Sequence, residues 1–125
     1  MPKTKVAEVV VLDPATMQVE TSEDYTKRGW LYFSRKQFDL ATEDFRHVLT
    51  SEANNIDTWY ALGLSLKSSG AHSKAVEAFE KVLGLVDQLE DKQRANILTR
   101  LTHGQINQMK TGDWNLEKEV WKRVA

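Results

Sequence analysis

From Thr21 onward the apolar residues fall at spacings of three and four, the period of a helix that buries one face. The stripe Ala75, Val76, Phe79, Val82, Leu83, Val86 and Leu89 shows it most plainly. Thr21 and Ser22 followed by Glu23 and Asp24 predict a helix start, with a capping hydroxyl and acidic residues against the positive end of the helix dipole. The pattern and its breaks predict helices over about 22–35, 39–52, 56–69, 73–89, 91–110 and 114–125. Asn54 and Asn55 separate the second from the third, Gly70 ends the third, and Gly112-Asp113 reads as a stop followed by a new cap. Residues 1–21 differ. Val6, Val9, Val10, Val11 and Leu12 form a β-branched cluster that meets Asp13-Pro14, a breaker, so this stretch reads as an extended arm ahead of a helical domain spanning 22–125.

The helical pattern also repeats. Gly29, Ser34, Ala41, Glu43, Phe45, Val48 and Leu49 recur 34 positions later as Gly63, Ser68, Ala75, Glu77, Phe79, Val82 and Leu83, and Tyr25 recurs as Trp59. A fixed period of this length is the signature of helical hairpins that bury a continuous core only by stacking on their neighbours. After the fourth helix the period slips. Setting Gly112 equivalent to Gly70 gives an offset of 42, eight more than 34. Eight residues is about two helical turns, and the expectation is one extra turn on the end of the fourth helix and one on the start of the fifth.

These positions resemble the tetratricopeptide repeat, a helix-turn-helix with a large residue at position 4, leucine at 7, a small residue at 8, an aromatic or leucine at 11, alanine at 20 and an aromatic at 24. Trp59, Leu62, Gly63, Leu66, Ala75 and Phe79 fill the pattern in order. Tyr25, Gly29, Tyr32, Ala41 and Phe45 fill it in the first repeat, which departs at Arg28, where the family prefers leucine. A degenerate third repeat over 98–125 would carry Leu101, Trp114, Trp121 and Val124, with Gln105 and Glu117 where small residues belong. Either the third register is off by one, with Gly104 and Leu116 as the true pair, or the last repeat is a polar cap. The resemblance implies an all-α fold: a short α-solenoid of about three antiparallel helical hairpins, repeats at about 22–55, 56–89 and 98–125, preceded by the extended N-terminal arm. Gly29 with Ala41 and Gly63 with Ala75 are expected to let paired helices approach closely, while Phe45 and Phe79 reach across to the next hairpin's first helix.

In this family the inward side of each first helix lines a groove that holds a partner's peptide or helix. Those places carry Trp30 and Phe33, then Tyr60, Leu64 and Lys67, then Ile106, Met109 and Lys110. Aromatic and methionine anchors suit an apolar peptide or amphipathic helix. The lysine and asparagine set with which some members clamp a carboxylate is not matched, since Thr26, Trp30, Tyr60 and Leu64 stand there. Trp30 and Phe33 read equally as core packing. The implied function is a non-catalytic protein-interaction module. The alternative is a homo-oligomeric structural protein, a homodimer for instance, whose groove and open end are filled by its own copies, and a regulatory subunit comes third. The arm segment Val9, Val10, Val11 and Leu12 reads as self-docking in the groove, as docking in a neighbour's groove, or as a free tail.

Composition narrows the partners. Seventeen basic residues against eighteen acidic ones leave a net charge of −1, too little field to concentrate the chain on nucleic acid or an anionic membrane. The longest apolar run, Val9 to Leu12, is far too short to span a bilayer. With no cysteine and no secretory signal pattern, the expected location is the cytoplasm. His47, His72 and His103 stand 25 and 31 residues apart, without the spacing that places two imidazoles on one metal, and there is no phosphate loop or nucleophile elbow. No cofactor, metal or enzymatic activity is expected.

Overall fold

The computed structural model describes residues 13–114. Five α-helices follow one another there: α1 (Ser22–Ser34), α2 (Phe38–Ser51), α3 (Ile56–Ser68), α4 (His72–Leu85) and α5 (Lys92–Thr111). Two 3-10 turns, Pro14–Thr16 and Val86–Gln88, stand before α1 and after α4. Each helix packs on the next in chain order, which makes a short all-α solenoid in which every hairpin leans on its neighbour. The segment Val9–Leu12 and the helix expected beyond Trp114, with Leu116, Glu117, Trp121 and Val124, lie outside the described residues.

Local chemistry sets the helix ends. Thr21 Oγ1 accepts from the Asp24 backbone N–H at 3.1 Å while Asp24 Oδ2 accepts from the Thr21 N–H at 3.2 Å, a capping box that satisfies two otherwise orphaned donors. The backbone donors on its carboxylate hold the Asp24 pKa below its ordinary value. Asn55 caps α3 through the Thr58 N–H at 3.1 Å, and Asp91 caps α5 through the Arg94 N–H at 3.1 Å. The hairpin turns share one device. Gly70 adopts φ 89°, and the Ala71 N–H bonds back to the Leu66 carbonyl at 2.9 Å. Lys36, 34 positions earlier, occupies the same left-handed conformation at φ 63°, with the Gln37 N–H on the Tyr32 carbonyl at 2.9 Å. Gly112, also left-handed at φ 79°, ends α5 with a different bond, its own N–H on the Gln108 carbonyl at 2.8 Å.

The extra residues of the slipped period fall differently from the expectation. Helix α4 has 14 residues, as many as α2, and the chain beyond Leu85 tightens into the Val86–Gln88 turn instead of continuing as α-helix. Helix α5, at 20 residues against 13 for α1 and α3, takes most of the added length. Val86 stays buried in the 3-10 turn and Leu89 half-buried just after it, so the apolar spacing continues although the α-helix does not.

The core obeys the repeat. Ala41, Phe45 and Val48 are 0% exposed, and so are their counterparts Ala75, Phe79 and Val82. A Cβ built on Gly29 would stand 2.7 Å from the Phe45 ring, and one on Gly63 would stand 2.5 Å from Phe79. Each phenylalanine therefore lies over the glycine of its own hairpin's first helix. One pair of positions breaks the symmetry. Leu62 and Ala78 are buried in the second hairpin, and the equivalent places in the first hold Arg28 and Asp44. The guanidinium grips the carboxylate in a fork, Nε to Oδ2 at 2.8 Å and Nη2 to Oδ1 at 2.7 Å, with the Asp44 side chain 4% exposed. The bond to Asp44 raises the Arg28 pKa, and the Tyr25 and Tyr32 rings flank the guanidinium at 5.4 and 5.7 Å. The departure from leucine at position 28 thus comes with a matching departure at 44.

Three variants test this by denaturant unfolding. Asp44→Ala leaves the half-buried guanidinium without its carboxylate and is expected to cost about 2 kcal/mol. Arg28→Leu combined with Asp44→Ala copies the second hairpin and is expected to recover wild-type stability or exceed it; a double variant as weak as the single one contradicts this account. Lys36→Gly removes a left-handed conformation from a residue with a Cβ and is expected to stabilise the chain by about 0.5–1 kcal/mol, seen as a higher midpoint at unchanged slope.

Candidate interaction surface

Helices α1, α3 and α5 carry the side chains expected to meet a partner. On α1, Trp30 is 41% exposed and lies edge-on to Phe33 and Phe45, with ring centres 5.5 and 5.1 Å away. Phe33 is half-buried and meets Phe38 at 5.2 Å, so the two α1 aromatics belong to a ring cluster that the turn into α2 completes. On α3, Tyr60 is half-buried with its ring 5.5 Å from Phe79, and Leu64 is half-buried one turn further on. Met109 supplies a half-buried side chain from α5. Phe33, Tyr60, Leu64 and Met109 all pack against one continuous buried cluster, the edge of which they form. These residues are both core and surface.

Ile106 is placed otherwise. It is buried within that cluster, 8% exposed, and has little surface to offer a partner. The cause is a register one residue short of the expected one. The Trp114 ring lies on Gly104, where an added Cβ would stand 2.0 Å from the indole, and the Asn107 side-chain amide donates to the Trp114 carbonyl at 3.0 Å. Gly104 is thus the small residue of α5, the counterpart of Gly29 and Gly63. An offset of 41 from Gly63 then sets Leu101, Gln105 and Gln108 level with Tyr60, Leu64 and Lys67.

Gln105, which breaks the repeat pattern in sequence, turns out to join two helices. Lys67 Nζ donates to Gln105 Oε1 at 2.6 Å and to Gln108 Oε1 at 2.5 Å, while Gln105 Nε2 donates to Tyr60 Oη at 3.2 Å. Lys67 is therefore held between α3 and α5. Burial lowers its pKa, and burial raises that of Tyr60 against the opposing effect of the Gln105 bond. The pairing of glutamines at 105 and 108, three apart on one helix, was the available signal for this link.

The arm meets the same side at its first helix. Met17, Lys27, Trp30, Leu31 and Ser34 line an apolar cleft of ≈ 400 Å³. Four residues before the cap, the chain has turned back along α1, and Pro14 is buried. Residues 27, 30, 31 and 34 form one stripe of α1.

Residues 25–55 and 56–85 each match the family model for the tetratricopeptide repeat. The chain is a tetratricopeptide-repeat protein. Comparison with curated proteins and with solved structures finds no match. Tetratricopeptide repeats mediate protein–protein interaction and are typically non-catalytic scaffolds. Among the described residues no group of three or more His, Asp or Glu side chains is arranged to hold a metal ion, and no helix is long and apolar enough to cross a membrane.

In this tetratricopeptide-repeat protein the Gly104–Trp114 contact is directly testable. Gly104→Ala is expected to push the indole off α5, lowering stability by about 1–3 kcal/mol and shifting the Trp114 emission to longer wavelength. Gly84→Ala, at a glycine with open space around it, serves as the control and is expected to leave the emission unchanged.

Proposed function

We propose that this protein is a non-catalytic adaptor that holds an apolar peptide or amphipathic helix of another protein on the side formed by α1, α3 and α5. The observation that supports it is the set of half-buried apolar side chains Phe33, Tyr60, Leu64 and Met109, each packed against the core, with the exposed Trp30 set edge-on to the buried Phe45. Rigid aromatic anchors lose little conformational entropy on binding, which is why such residues dominate interface energies. The bonds among Lys67, Gln105 and Gln108 brace this set, and they border it with groups able to accept or donate hydrogen bonds.

A second reading, in which the surface is filled by the chain itself or by another copy, is favoured by the turned-back arm. Met17 already touches the cleft beside Trp30, and the apolar segment Val9–Leu12 lies only a few residues further along the chain. A high effective concentration would follow from so short a tether.

One experiment separates the two. A synthetic amphipathic peptide with leucine and phenylalanine on one face is titrated into the full chain and into Leu64→Glu, with solution mass measured by light scattering on both. The adaptor reading expects the charge on Leu64 to weaken peptide binding by at least about tenfold with mass and helicity unchanged. If the substitution instead dissociates an oligomer, the surface is a contact between copies. If neither changes, this side of the molecule binds nothing and both readings fail.

A further inference from the structure

A second surface lies between α2 and α4, with α3 as its floor. Two adjoining hollows of ≈ 360 and ≈ 290 Å³ share Arg46, Trp59 and Leu62. The larger also takes in Lys74, Glu77 and Lys81. Trp59 is fixed at the bottom. Its indole N–H donates to the Ala53 carbonyl at 2.7 Å, and Lys81 Nζ stands 5.7 Å from the ring centre. Arg46, Lys74 and Lys81 are exposed and make no ion pair among the described residues. Three cations against the one carboxylate of Glu77 leave the cleft at +2, in a chain whose net charge is −1. The polarity is local and opposite to that of the whole.

The first hairpin shows what a closed version of this place looks like. There the counterpart of Trp59 is Tyr25, on which His47 stacks with ring centres 3.8 Å apart, and the Arg28–Asp44 pair occupies the positions of Leu62 and Ala78. Charges are spent on each other. In the second hairpin Lys81, the counterpart of His47, stands over the Trp59 ring, and Arg46, Lys74 and Lys81 make no ion pair of the Arg28–Asp44 kind among the described residues.

We propose that this cleft binds a short acidic segment of a partner protein. One apolar or aromatic side chain of the segment rests on Trp59 and the buried floor, and flanking carboxylates meet Arg46, Lys74 and Lys81. A fixed aromatic at the centre supplies the anchor, and a rim of opposite charge supplies steering and register. A nucleic acid is the weaker fit: three cations neutralise few phosphates, and the net negative chain repels a longer polyanion. This surface is separate from the side chains on α1, α3 and α5, and the two proposals stand or fall independently.

The test uses the full chain and a short synthetic peptide of glutamates around a single phenylalanine. Amide and indole chemical shifts locate the binding, and calorimetry at low and physiological salt measures it. The expected result is a shift of the Trp59 indole N–H with changes confined to α2, α3 and α4, and an affinity that falls as salt rises. Arg46→Glu with Lys74→Glu, both exposed, is expected to weaken binding at least about tenfold at unchanged helicity. Leu64→Glu is expected to leave it unaltered. The proposal is overturned if no binding shifts the Trp59 indole, if the same peptide with glutamine for glutamate binds equally well, or if an oligothymidylate binds more tightly than the acidic peptide.

Discussion

The close contact between a glycine on one helix and a ring on its partner is the constraint on which everything else rests. With Gly29 against Phe45 and Gly63 against Phe79, the two helices of a hairpin approach until the ring lies directly on the opposing backbone. No other residue leaves that space, because a single methyl would stand inside the ring's van der Waals radius. The same contact buries Phe45 and Phe79 completely and turns the neighbouring side chains of α1 and α3 outward at defined angles. Trp30 beside Phe45 and Tyr60 beside Phe79 inherit their positions from it. The side chains proposed to hold a partner are in this sense placed by how each hairpin closes.

Much of this was legible in the sequence, and the reason is physical. Helix existence follows from a three-and-four apolar period, and the start of α1 follows from the Thr21 hydroxyl, whereas Asn55 reads in the sequence only as a break and its cap on α3 is seen in the structure. The end of α4 was not legible, because Val86 and Leu89 keep the apolar spacing while the backbone tightens to a 3-10 turn. Nor was the partner of Arg28. Its fork with Asp44 joins positions sixteen apart on different helices, and a sequence shows the two charges without showing that they face each other.

Helix α5 shows where repeat logic loses its hold. An offset judged from Gly112 places a glutamine in the small-residue position, whereas the residue that meets a ring is Gly104. One additional residue lies between these glycines compared with Gly63 and Gly70. That shift buries Ile106 and turns Gln105 towards Lys67 and Tyr60, exchanging an apolar groove position for a hydrogen-bonded bridge. A helix advances by 100° per residue, so a slip of one is enough to turn a surface position into a core one.

The Arg28–Asp44 pair also bears on how two nearly identical hairpins find their proper mates. Were α1 to close on α4 instead of α2, Arg28 would meet Ala78, and were α2 to close on α3 as a hairpin, Asp44 would meet Leu62. Each exchange strands one charge in an apolar setting, and a buried charge without a counter-ion is among the most costly defects a fold can carry. The pair acts as a key cut for one lock: it distinguishes otherwise interchangeable parts during folding, both along one chain and between copies of it at high concentration.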